Sequence, residues 1–146
     1  MSDFQRHLAQ VTGNLEQHRA ELLATLAVLD DADMVRARRG GWTVGKVLDH
    51  ITGSEWHYAR LAANLRGMED VAPESTEAAG MTGASQALTR SRAALLKAID
   101  GVTEEDFYRL GTVGRVEYSV VSVLENVEQH DIEHLGQIRA IQAEAG

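Results

Sequence analysis

Residues 119–142 read SVVSVLENVEQHDIEHLGQIRAIQ. Val120, Val123, Leu124, Val127, Ile138 and Ile141 recur at three- and four-residue steps, which is one face of a helix. His130 and His134 stand one turn apart on that helix. With Val127 at zero and about 100° per residue, His134 falls near about −20° and His130 near about −60°. Both lie inside the apolar arc, so this helix aims two imidazoles at a core.

Three more segments carry a single apolar stripe. Phe4, Leu8, Val11, Leu15, Leu22, Leu26 and Leu29 define a helix over 3–29. Val44, Val47, Leu48, Ile51, Tyr58, Leu61 and Leu65 define one over 43–65, with Thr43 placed to cap it. Leu88, Leu95 and Ile99 define one over 82–99. Gly40-Gly41 precedes the second helix, and Gly67–Gly80 forms a polar link holding the one proline, Pro73. Thr103-Glu104-Glu105-Asp106 reads as a short capped turn. The expected fold is all-α: one domain over 1–146, a four-helix bundle whose longer links permit crossovers.

Composition narrows the function. The net charge of −8 opposes phosphate backbones, so no nucleic-acid partner is expected. No apolar run approaches the roughly 20 residues of a membrane span. Met1-Ser2-Asp3-Phe4-Gln5 lacks a basic-then-apolar leader, so a cytoplasmic setting is expected. Cysteine is absent, which removes disulfides, thiolate metal sites and any thiol nucleophile of the chain's own.

Two imidazoles inside an apolar stripe need polar partners or a metal. His-x-x-x-His on a helix clamps a divalent ion through two neutral rings. Asp131 stands where zinc proteases carry Glu, which makes a peptidase a poor fit. A third ligand comes from the second helix, from His50 or His57, His50 being nearer the core. Three protein ligands leave coordination positions open for water, an anion or a thiolate.

The run Gly41-Trp42-Thr43-Val44-Gly45-Lys46-Val47-Leu48-Asp49-His50-Ile51, then Glu55, resembles the second helix of the DinB/YfiT-like family. His130, His134, Gly136 and Gln137 resemble its last helix. The resemblance implies an up-down-down-up bundle and a metal triad of His50, His130 and His134, usually zinc or nickel. It also implies a homodimer that activates a small-molecule thiol for attack on an electrophile. The activity so implied is a metal-dependent thiol S-transferase. A metal-dependent hydrolase and a non-catalytic, metal-stabilised dimeric bundle are the alternatives.

Glu55 and Arg92 fall within the stripes of the second and third helices. They form a buried ion pair, or Arg92 grips a substrate carboxylate with Glu55 as base or support. His18 reads as a satisfied core histidine. Asp131 and Gln137 can each orient a ligand ring. Tyr58 and Tyr118 are candidates to line a pocket. Trp56 lies about 140° from its stripe on the helical wheel, which points to an exposed dimer contact.

Overall fold

Ser2 opens the first helix, α1 (Asp3–Leu26), through a capping box in which its hydroxyl and the Gln5 side chain each serve the other's backbone amide. The computed structural model describes residues 1–74 and 80–145. α1 stops three residues short of the expected Leu29, because Asp30 caps a separate 3-10 turn, Asp31–Val35. Thr43 caps α2 (Val44–Leu65) as expected, accepting from the Lys46 amide at 3.0 Å. α3 (Gly80–Ile99) begins where Asp31 accepts from the Met81 amide at 2.8 Å. Of the expected Gly67–Gly80 link, residues 75–79 lie outside the described residues.

Thr103 caps a short helix, α4 (Glu104–Tyr108). An antiparallel hairpin follows, β1 (Gly111–Val113) on β2 (Val116–Tyr118), turning through Gly114 at φ 65°. The last helix, α5 (Val120–Ala145), starts from a reciprocal pair in which Ser119 and Ser122 hydroxyls accept each other's backbone amides at 3.2 and 2.9 Å.

Two apolar clusters fill the two ends of the bundle. One joins Val11 and Leu15 to Leu61, Leu95, Phe107 and Val120. The other joins Leu22 and Leu26 to Val44, Ile51, Met81, Leu88 and Ile138. α1 and α5 therefore start at the first end, and α2 and α3 start at the second. The order is up-down-down-up, with α2 and α3 parallel. α2 packs against both α3 and α5, α5 packs against α1, and the backbones of α1 and α3 stand farther apart, bridged by long side chains.

One expectation fails here. Trp56 is 7% exposed, not a surface residue. It lines a cavity of about 640 Å³ with Val71, Ala94 and Ala98. The segment after α2 folds back over the α2–α3 seam and covers it. A surface assigned by distance from one stripe fails for a helix with neighbours on two sides. The dimer contact assigned to Trp56 goes with its exposure.

Candidate metal centre

α2 and α5 lie side by side, and their facing turns bring His50, His130 and His134 together. One ring nitrogen from each falls within 4.8 Å of the others, an arrangement that can hold a metal ion. The ring centroids of His50 and His134 are 4.7 Å apart, and those of His130 and His134 are 5.4 Å apart. His134 is buried, while His50 and His130 are half-buried. Of the two candidates on α2, His50 joins the cluster and His57 stays exposed.

The contacts of two of these rings bear on where their protons sit. Gln137 Oε1 faces His134 Nδ1 and can only accept, so Nδ1 carries the hydrogen. Tyr58 Oη lies 3.3 Å from His130 Nε2. A phenol oxygen can donate or accept; in the tautomer where Nε2 carries the proton and donates it to that oxygen, Nδ1 keeps an unshared pair. His130 Nδ1 and His134 Nε2 are then bare acceptors, and both are buried with no partner among the described residues. Orphaned acceptors of this kind are costly in a core, and a divalent cation satisfies both. The residues present therefore fit a metal.

Electrostatics agrees with neutral rings. Burial lowers the His50 pKa below 6.5, and the other two imidazoles and Lys46 lower it further. Burial and His134 do the same to His130, against Glu133 and Asp131. Neutral imidazole is the form that binds metal. Burial, Tyr118 and Glu133 raise the Tyr58 phenol above its ordinary value, so it stays protonated.

Asp131 does not orient a ligand ring. It joins a buried network of four charges, one from each long helix. Arg19 donates to Glu55 at 3.0 and 3.1 Å and to Asp131 at 3.0 and 3.2 Å. Arg92 donates to Glu55 at 2.7 Å and to Asp131 at 3.1 Å. Ser91 adds a bond to Glu55 at 2.6 Å. Burial works against the Arg19 charge, but Glu55 and Asp131 outweigh it and raise its pKa.

The remaining donors of Arg19 and Arg92 reach the carbonyls of Leu88 and Leu15. Arg92 thus has every donor nitrogen engaged by the protein, and its bond to Glu55 is the buried ion pair that the sequence offered as one of two readings. Glu55 likewise faces arginines and a serine, not the histidines. Arg19 escaped the sequence reading, although its place between Leu15 and Leu22 in the α1 stripe was a usable signal.

Two aromatic groups border the cluster. The Trp42 ring sits edge-on to His50 at 5.1 Å, and Tyr58 sits edge-on to His130 at 5.4 Å. His18 lies apart, half-buried and 3.2 Å from Glu128. No helix among the described residues is long and apolar enough to cross a membrane.

The chain was compared with known proteins. A family model described as the DinB superfamily matches residues 14–138. The crystal structure of TT2238, described as a four-helix bundle protein, superposes with a TM-score of 0.71 at 25% identity, covering 90% of this chain and 97% of that one. A DinB-like protein from Bacillus cereus superposes with a TM-score of 0.68 at 19% identity, covering 96% of this chain and 91% of that one. No curated protein matches.

Proposed function

Because this chain belongs to the DinB superfamily, we propose that it is a divalent-metal-dependent enzyme, a thiol S-transferase. His50, His130 and His134 would hold the ion; the family resemblance points to zinc or nickel, both of which imidazole donors suit. The observation that carries this reading is the pair of buried, partnerless nitrogens, His130 Nδ1 and His134 Nε2. A bound divalent ion supplies a Lewis acid that favours a thiolate over its thiol.

The chain's residues do the rest. Gln137 holds the His134 proton on Nδ1, and Tyr58 can accept the His130 proton from Nε2, so the unshared pairs would face the ion. The half-buried side of the cluster, at His50 and His130, gives the substrate access. With no cysteine in the chain, the thiol arrives as substrate. Its S–H proton leaves to solvent, its sulfur bonds an electrophilic carbon, and that carbon's leaving group departs with its electron pair.

Metal content measured by mass spectrometry on untagged protein, native beside His134→Ala, is the first test. The expected result is about one ion per chain in the native protein and none in the variant, a stoichiometry set by the single three-histidine cluster. Thiol addition to cobalt-loaded protein should then give a thiolate charge-transfer band. S-transfer at full rate by metal-free His134→Ala would falsify the proposal. Turnover of an ester or amide without added thiol would replace it with a hydrolase.

A further inference from the structure

Beside the histidines lies a cavity of about 360 Å³, lined among others by Arg38, Arg39, Gly41, Trp42, Gln137 and Glu144. Its volume is in the range of small-ligand pockets. It adjoins the cluster through two residues: Gln137, which bonds the His134 ring, and Trp42, whose ring lies 5.1 Å from His50.

Cations gather here in a chain whose net charge is −8. Lys46 Nζ stands 5.7 Å from the Trp42 ring centroid. Arg38 is balanced by Glu144, with Nε to Oε2 at 2.9 Å. Arg39 lines the cavity and has no hydrogen bond or ion pair among the described residues. The turn that carries both arginines is fixed in place. Gly41 N donates to Arg38 O at 2.8 Å, Val44 N donates to Arg36 O at 2.9 Å, and Ala37 bridges Thr43. Gly40 holds φ at 75°, a conformation that favours glycine. The pinned turn fixes the root of the exposed Arg39 side chain at the cavity, and its guanidinium is free to take an anion.

We propose that this cavity binds a carboxylate of the thiol substrate, with Arg39 as its partner and the Trp42 face alongside. The proposal rests on the metal reading above and names the substrate class of that site: a thiol carrying a carboxylate, not a neutral one. The planar guanidinium fork matches a carboxylate in two parallel bonds.

The test titrates cobalt-loaded full-length protein with 2-mercaptoethanol and with mercaptosuccinate, reading the cobalt–thiolate band. The native protein should prefer mercaptosuccinate by roughly two- to fivefold, the scale of an ion pair at an exposed side chain. Arg39→Gln should erase most of that preference and leave the 2-mercaptoethanol affinity unchanged. Arg115→Gln, an arginine in the hairpin turn, should keep it. An equal preference in native protein and Arg39→Gln overturns the proposal while leaving the metal site standing.

Protein that takes up no cobalt overturns the metal reading instead. The cavity is then judged alone, by succinate titration of metal-free protein followed through the Trp42 indole NMR resonance. A shift in native protein that Arg39→Gln abolishes supports the carboxylate site. No shift, or an equal shift in both, refutes it.

Discussion

Replacing Arg19 with Met removes one of two guanidinium groups that hold two buried carboxylates. The Arg19 side chain is 7% exposed and those of Glu55 and Asp131 are each 2% exposed. The variant leaves Arg92 alone against both acids, a net negative charge in the core. Breaking a buried pair from one side costs about 3–5 kcal/mol, because the orphaned charge is not resolvated. For a chain of this length that corresponds to a fall in Tm of roughly 10 °C or more.

The magnitude has a control inside the network. Glu55→Gln on its own leaves two arginines against Asp131. Combined with Arg19→Met, it restores one charge against one. The double variant should therefore be more stable than the sum of the two single losses, by about 1–3 kcal/mol of coupling. Urea unfolding of the four proteins measures both quantities. A single loss under about 1 kcal/mol, or strict additivity, refutes the reading of these residues as a balanced buried network.

Three further outcomes follow from the same geometry. Gln137→Leu removes the acceptor that orients His134 and should weaken metal binding about 10- to 100-fold in competition with a chelating dye, with little change in fold. In metal-free protein, His50 and His130 titrate below the ordinary 6.5. The unfolded chain therefore binds protons that the fold resists, so stability should be level above pH 6.5 and fall as pH drops through the lowered values. Urea midpoints across that window check this, and the slope should flatten in a His50→Gln, His130→Gln variant. Trp56→Ala should cost about 3–5 kcal/mol as a core truncation. An unchanged Tm together with a changed oligomeric state in sedimentation would restore the surface role that its burial removes.

The long helices were legible because each needs only one stripe, and stripes are local. Their starts fall within two residues of the expected positions, and at α2 the Thr43 cap is the reason. The histidine cluster was legible for a similar reason, since two imidazoles inside an apolar arc face inward whatever the fold. Trp56 was not legible, because its burial depends on how the chain after α2 returns over the seam. The hairpin at 111–118 was missed because three-residue strands are too short to show a period. The Glu55–Arg92 pair was legible because both charges lie inside apolar stripes, but the place of Asp131 in the network depended on Arg19, a charge in the α1 stripe that the sequence reading passed over.

The buried charge network is completed only late in the sequence. Arg19, Glu55 and Arg92 precede Asp131, which is carried on the final helix. Before that helix emerges, the nascent chain holds two cations against one carboxylate, an imbalance that opposes sealing α1, α2 and α3 into a premature three-helix body. His130 and His134 emerge with Asp131. Charge neutrality, the last wall of the core and two of the three imidazoles thus arrive together, so a chain translated only through α3 has neither a settled interior nor a complete histidine cluster.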